Sequence, residues 1–246
     1  MPKLSVTIIT RNETSHIRAA LESVSWADER IVVDAESTDD TVAIARELAD
    51  RVVVREWPGY GAQKNFAASL AAHDWILSLD ADERVTPALA SQVRQAIEAP
   101  AHAAYRLPRV SHHMGRWIRS TDWYPDHQLR LYDRRRGAWN AARVHEGITV
   151  DGSIGELAGE LQHFPYRDLT DHLETINRYT SLAAEQMHAE GRRSGLAHMA
   201  VHPPLAFLRN YLVRGGFRDG APGLVVSAMN AYYVFLKFAK LRELGA

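Results

Sequence analysis

The sequence predicts an α/β protein: a mixed, mostly parallel sheet flanked by helices and followed by a helical C-terminal extension. Three observations predict it. Short β-branched runs alternate with stretches of helical spacing, acidic side chains recur just after those runs, and the spacing turns predominantly helical beyond residue 167. A chain of 246 residues, 46% hydrophobic and 24% charged, can bury a substantial core. We expect one main domain over residues 1–166 and a helical extension over 167–246.

Leu4–Thr10 and residues 30–34 are short apolar runs, and between them 16–24 has helical spacing with Asn12 or Thr14 available as a cap. The β-α-β pattern then repeats. Residues 38–48 read as a helix behind the cap cluster Ser37-Thr38-Asp39-Asp40, 51–54 as a strand, 63–72 as a helix and 75–79 as a strand. Strands joined through helices pair in parallel, because a crossover returns the chain to the same end of the sheet. Residues 87–97 add a helix with Pro87 in its first turn, where the missing N–H has no intrahelical partner to lose.

Beyond Pro100 the regularity breaks. Residues 104–110, 128–133 and 148–150 read as strands separated by loops rich in His, Arg and Trp. Residues 168–190 and 202–244 are helical in spacing, the second stretch punctuated by Gly215, Gly216, Gly220 and Gly223.

The formal net charge of -1 gives no overall reason to expect nucleic acid as a partner, since phosphate-backbone binding shows as a basic excess. Cysteine is absent, which excludes disulfides and thiolate metal sites and leaves oxygen and imidazole as the available ligands. The first apolar run meets a polar turn too soon for the core of a secretion signal, so a cytoplasmic location is expected. No apolar run is expected to span a bilayer, which needs roughly 18–20 residues. The longest charge-free stretch near the end, 221–236, is interrupted by Ser227 and Asn230.

In open α/β sheets, ligands gather beyond the carboxyl ends of the strands. Thr10, Asn12 and Glu13 follow the first run, Asp34 and Glu36 the second, and Asp80, Asp82 and Glu83 the fourth. Any single loop acid can simply cap a helix. Asp80-Ala81-Asp82 is different, because two carboxylates two residues apart repel unless a cation lies between them, and oxygen ligands suit Mg²⁺ or Mn²⁺ bridging to phosphate.

Leu4-Ser-Val-Thr-Ile-Ile-Thr-Arg-Asn-Glu13, Ile31-Val-Val-Asp34 with Ser37-Thr-Asp-Asp40, Lys64-Asn65 and Leu79-Asp-Ala-Asp-Glu83, in this order, resemble glycosyltransferase family 2. The resemblance implies a GT-A fold, a Rossmann-like sheet in which the opening loop and Asp34 hold the nucleotide base, usually uracil. It implies that Asp80 and Asp82 lie at the ribose and the metal-bound diphosphate, with Lys64 near the donor. Farther along, Tyr124-Pro-Asp-His-Gln-Leu-Arg-Leu-Tyr132, Val144-His-Glu146, His163 with Tyr166, and Gly215-Gly-Phe-Arg-Asp-Gly220 are similar to bacterial lipopolysaccharide-core glucosyltransferases. That similarity implies an inverting transferase moving glucose from a UDP-sugar to a hydroxyl of a lipid-linked saccharide. Family members commonly carry an acidic pair whose carboxylate is the base, whereas here Asp126 is followed by His127.

A hydroxyl attacking an anomeric carbon gains from a carboxylate that takes its proton, and Asp126 is the first candidate, with Asp122 and Glu146 in reserve. Asp126 can equally cap a turn after Pro125. Charge developing on the leaving diphosphate calls for a metal with help from Lys64 or Arg130, although Arg130 can also be a strand residue paired with Asp133. The twelve histidines include no zinc spacing. His163 is the one carried as a metal ligand, because the fold often adds a late histidine, and His145 is its rival. Trp117, Trp123, Tyr124 and Trp139 suit either a sugar-stacking platform or core packing.

Residues 192–246 hold eight Lys or Arg and two acids, Asp219 and Glu243. Leu224, Ala228, Ala231, Phe235 and Phe238 recur at helical spacing among basic residues, as in helices that lie on anionic membranes, and peripheral attachment to the inner face of the cytoplasmic membrane is expected. An amphipathic helix packed on its own domain would show the same pattern. Two other function classes are open on these residues: a nucleotidyltransferase acting on a sugar phosphate, which would normally carry a glycine-rich loop that Thr10-Arg11-Asn12-Glu13 lacks, and a non-catalytic nucleotide-sugar binding module.

Overall fold

The computed structural model describes residues 2–140 and 147–245. They form two compact units, one from residues 2–109 with 127–140 and 147–163, the other from residues 110–126 with 164–245. The sequence alone suggested a division at residue 166; the contacts draw 110–126 into the helical unit as well.

The first unit opens with β1 (Leu4–Thr10), α1 (Ile17–Ser23), β2 (Glu29–Asp34), α2 (Thr41–Leu48), β3 (Arg51–Val54), α3 (Tyr60–Ser69) and β4 (Trp75–Asp80). β1 is buried along its whole length and pairs in parallel with β2 on one side and β4 on the other; β3 extends the sheet beyond β2. Burial on both faces explains why Leu4–Thr10 reads as an apolar run and does not alternate with polar residues. Each helix returns the chain to the same end of the sheet, so Thr10, Asp34 and Asp80 finish three parallel strands in register, with Thr10 opposite Asp34 and Ile9 opposite Asp80.

After β5 (Glu83–Val85) and α4 (Pro87–Glu98) the pairing changes direction. β6 (Ala104–His113) runs out of this unit into the second. There its last residues pair antiparallel with β7 (Arg116–Ile118). β8 (Asp126–Asp133) pairs antiparallel with β4, β9 (Gly137–Trp139) forms a hairpin with β10 (Ile148–Val150), β11 (Ile154–Glu156) pairs with β6, and β12 (Leu161–His163) pairs antiparallel with β5. The strand order β3-β2-β1-β4-β8-β6-β12-β5 makes the sheet mixed, as expected. β5, β7, β9, β10, β11 and β12 are three residues each, and of these only β10 was read from the sequence.

Two apolar layers sandwich the parallel strands. Val6, Ile8, Leu77 and Leu79 face Ile17, Leu21 and Val93 on one side, and Ile9, Ile31, Val33 and Ile76 face Ala67 and Ala68 of α3 on the other. α4 starts as its sequence suggests, with Pro87 in the first turn and the Thr86 hydroxyl accepting the Leu89 N–H. α1 does not: neither Asn12 nor Thr14 caps it. The carbonyl of Glu13 accepts from His16 and Ile17 instead, and the Asn12 side chain serves another loop.

The second unit contains α5 (Leu169–Ala189), α6 (Leu196–Leu208) and α7 (Gly220–Leu244). The stretch 202–244, helical in spacing and punctuated by glycines, is divided in the structure. A π-helical turn over Arg209–Val213 and a 3₁₀ turn over Gly216–Asp219 separate α6 from α7. Gly215 and Gly220 take positive φ angles of 72° and 65°. Gly223 packs so closely that a Cβ there would lie 1.9 Å from the Gly216 carbonyl oxygen. Lys240 ties α7 to α5, donating to the Asn177 carbonyl and to the side chains of Asn177, Thr180 and Ser181. Asp219 draws in 110–126 by accepting from the Arg119 N–H and the Ser120 hydroxyl.

Contrary to the expectation from charge-free runs, the stretch Gly216–Leu244 is by length and composition long and apolar enough to cross a membrane. The interruptions at Ser227 and Asn230 do not lower its mean hydropathy enough. Phe238, expected on a membrane-facing stripe, is buried with Leu241 against Ala184 and Met187.

Candidate active site at the carboxyl ends of the parallel strands

β4 ends at Asp80, and two cations on different elements converge on that carboxylate. Lys64 Nζ lies 3.1 Å from Oδ1, and Arg130 donates from NH2 to Oδ2 at 2.5 Å. Lys64 reaches it from α3 and Arg130 from β8, the antiparallel neighbour of β4. Both are almost fully buried, at 2% and 3% exposure, so neither charge is hydrated. Lys64 gains in addition from the face of Trp139, 4.3 Å from its ammonium.

Glu83 completes the cluster. It has no exposed surface, accepts from the Asp80 N–H at 3.0 Å, from Arg130 at 2.7 Å and from Arg109 at 3.1 Å. Burial disfavours the charge on Asp80, but Arg130 and Lys64 beside it hold its carboxyl well below the usual carboxylate range. Burial works against Arg130 in the same way, and Asp80 and Glu83 override it, raising its proton affinity above the ordinary guanidinium value.

Asp82 points elsewhere. The pairing of β5 with β12 sets His163 opposite Glu83, which brings His163 Nε2 to 3.3 Å from Asp82 Oδ2. Both side chains keep some exposure, 14% for the imidazole and 25% for the carboxylate. Among the described residues no group of three or more metal-binding side chains is assembled. One carboxylate and one imidazole fit a divalent ion whose remaining positions are filled by phosphate oxygens and water. Asp80, which the spacing placed beside Asp82 at the same metal, has both oxygens engaged by Lys64 and Arg130.

The opening loop and the loop after β2 brace each other. Asn12, at φ 55°, accepts from the Thr38 N–H and donates its own N–H to Ser37 Oγ, while the Glu13 N–H bonds Thr41 Oγ1. Asp34 is buried and takes the backbone N–H of Ser37 at 2.8 Å along with its hydroxyl. Thr10 Oγ1 and Arg130 Nε are buried without a hydrogen-bond partner among the described residues.

The structure thus gathers Lys64, Asp80, Arg130, Asp82 and His163 at one end of β4, and Thr10 and Asp34 at the ends of β1 and β2. Arg130, also considered as a partner for Asp133, bonds Asp80 and Glu83, and Asp133 pairs with Arg135. Asp126 opens β8 in the second unit, half-buried. Asp122 sits in the same unit with Arg209 at 3.2 Å and Arg214 at 2.9 Å and accepts from Asn230, the surroundings of a structural anchor. Glu146 and His145 lie outside the described residues.

Sequence reasoning gave no role to Glu83, Arg109, Gln63 or Asn65. The acid directly after Asp80-Ala81-Asp82 was the available signal for Glu83. Gln63 buries its whole amide without a partner among the described residues. Asn65 holds the backbone of Trp139 through two hydrogen bonds, accepting its N–H at 2.9 Å and donating to its carbonyl at 2.8 Å. Trp139 is buried among Ile31, Ala67 and Tyr132, and of the two roles left open for it the structure shows the packed one.

The family model for Glycosyl transferase family 2 matches residues 5–149. A lipopolysaccharide core biosynthesis glycosyltransferase, LpsC, of Rhizobium meliloti is 31% identical over 99% of this chain and 94% of its own length. An uncharacterized glycosyltransferase of Rickettsia typhi is 32% identical over all of this chain and 88% of its own. Among solved structures, the mannosyltransferase PcManGT from Pyrobaculum calidifontis, in complex with GDP-Man and Mn²⁺, aligns over 98% of this chain and 87% of its own with a TM-score of 0.56 at 14% identity. That likeness concerns the fold, and the sheet described above is accordingly that of a GT-A glycosyltransferase. The nucleotidyltransferase and non-catalytic readings are set aside. The chain belongs to glycosyl transferase family 2 and is a glycosyltransferase.

Proposed function

We propose that this enzyme transfers a sugar, glucose by the likeness of its later motifs, from a UDP-sugar to a hydroxyl of a lipid-linked saccharide such as lipopolysaccharide core, with inversion at the anomeric carbon. The observation that carries the reading is the pairing of Asp82 with His163 at 3.3 Å beside an Asp80 already neutralised by two buried cations. In this reading Asp82 and His163 hold the Mg²⁺ or Mn²⁺, and Asp80 orients Lys64 and Arg130 toward the donor. The metal, when bound, offsets the charge that develops on the leaving diphosphate. Lys64 and Arg130 bring fixed positive charge to the same group from a dry site, where such charge acts strongly and needs no reorganisation. Thr10, Asn12, Glu13 and Asp34 form the nucleotide end.

For the base we retain Asp126 on chemical grounds, a carboxylate able to take the acceptor hydroxyl's proton as the new bond forms, with Glu146 behind it and Asp122 last because two arginines engage it. The lipid-linked acceptor draws support from the named role of the Rhizobium relative, and with such an acceptor we propose that the enzyme works at the cytoplasmic membrane surface. The test is incubation with UDP-sugars with and without Mn²⁺. Slow metal-dependent release of UDP, lost in Asp82→Ala, supports the reading. Equal release under chelation contradicts it, and glycosylation of an acceptor that carries no lipid contradicts the acceptor half alone.

A further inference from the structure

The helical unit carries an apolar ridge that its own packing leaves uncovered. Val201, Leu205, Leu208 and Leu212 recur at intervals of four, three and four, one face of a helix, and are 51%, 57%, 45% and 55% exposed. Val213, at the end of the π-helical turn, is 82% exposed. On α6 the side toward α7 is occupied differently, by His198 and His202 against Phe238. A contiguous apolar face of this extent on a folded surface marks a place of contact.

The charges around the ridge select its occupant. Arg209 and Arg214 flank its end, with side chains 57% and 41% exposed, and Arg218 follows. Between residues 191 and 242 Asp219 is the sole acid, and it is 5% exposed, turned inward to Ser120 and the Arg119 N–H. Asp122 meets two of the arginines, and Arg116, Arg119 and Arg218 add further positive charge in the same unit. Arg116, Arg119, Arg209, Arg214 and Arg218 outnumber Asp122 and Asp219, so a second copy of this chain would bring the same net positive surface against itself. An anionic lipid surface satisfies both features, since leucines enter the acyl boundary while arginines meet phosphate.

We propose that the face formed by α6 and the π-helical turn, led by Leu205, Leu208, Leu212 and Val213 and rimmed by Arg209, Arg214 and Arg218, docks the enzyme on an anionic membrane. This rests on the reading that the acceptor is lipid-linked, and it names α6 and its π-helical turn in place of the α7 stripe suggested by sequence, where Phe238 is buried and Lys240 is turned into α5. The docked face is a lateral surface and requires no helix to cross the bilayer.

The experiment is flotation of the full chain with vesicles of phosphatidylcholine alone or mixed with phosphatidylglycerol, at low and high salt, for wild type, Leu205→Glu/Leu212→Glu, Val213→Glu and the α7 control Tyr232→Glu. Circular dichroism confirms folding, and UDP release in solution is followed on the same samples. The expected result is binding to phosphatidylglycerol vesicles that salt weakens, reduced about tenfold or more by the α6 and Val213 changes and unaltered by the control. Val213→Glu, at the most exposed position, keeps the test valid if the double variant fails to fold. Equal binding of all proteins, absence of vesicle binding, or a wild-type dimer in sedimentation that the same changes dissociate would overturn the proposal. Retained UDP release in a variant that no longer binds leaves the transferase reading standing, whereas absent UDP release in all of them strikes that reading and not this one.

Discussion

A single guanidinium nitrogen, Nη2 of Arg130, joins the carboxylates of Asp80 and Glu83, and both Arg130 and Glu83 are shut off from water. Removing the cation leaves an acid at 0% exposure with only Arg109 to balance it, so Arg130→Met should lose about 3–5 kcal/mol in urea unfolding. Recovery of full stability in that variant would show that the cluster is not an ion-pair network. A second residue-scale expectation concerns His172. Burial, helped by neighbouring His113, lowers its pKa from 6.5 to about 4. The unfolded chain therefore binds a proton more readily between those values. The contribution is fully present above about pH 6.5 and is lost as the pH falls toward 4, up to about 3 kcal/mol. His172→Phe should flatten the acid limb of a plot of melting temperature against pH. Asp34, Asp80 and Asp82 were legible in sequence as strand-end acids because strand ends are local, whereas Lys64 was named through the family resemblance. Glu83 and Arg109 were not, since their roles arise only when strands distant in sequence pair. His163 shows both sides: it was put forward as a metal ligand from the resemblance, but its 3.3 Å approach to Asp82 depends on the pairing of β5 with β12, neither of which has a sequence signal.

At the scale of elements, α3 does most to shape the site, and it does so by close approach. A Cβ on Gly61 would sit 2.1 Å from the Asn140 carbonyl oxygen, so Gly61→Ala must push α3 away from β9. That displacement should cost about 1–3 kcal/mol and weaken donor affinity through Lys64, which the same helix carries. Asn65→Ala removes both bonds to the Trp139 backbone and should cost a similar ~1–3 kcal/mol, because the Trp139 N–H and carbonyl lose their partner. A thermal melt combined with UDP titration separates the two: Asn65→Ala should lower stability with a smaller effect on affinity. The repeating β-α-β elements were readable because each is long enough to show its period. The break after α6 was not, since Arg209–Val213 keeps helical spacing in sequence while its backbone widens to a π turn. The glycines at 215, 216, 220 and 223 were visible, but only the backbone says why they are there: Gly215 and Gly220 take positive φ, and a Cβ on Gly223 would lie 1.9 Å from the Gly216 carbonyl oxygen.

Across the molecule there are two compact units: the parallel strands of the first carry the charge cluster that we propose meets the donor diphosphate, and the helices of the second carry the apolar, cationic face that we propose meets the membrane. The net charge of -1 hides this division, because the first unit carries 21 acids against 17 Lys and Arg and the second 9 acids against 12. The claim on which the rest depends is that Asp82 and His163 bind a divalent ion together with the donor diphosphate. Isothermal titration of UDP into wild type and Asp82→Asn, each with Mn²⁺ or with excess chelator, tests it most directly. The account predicts tight UDP binding only for wild type with Mn²⁺, with affinity falling at least about tenfold when either the ion or the carboxylate is removed. UDP affinity that is the same in all four titrations would contradict it.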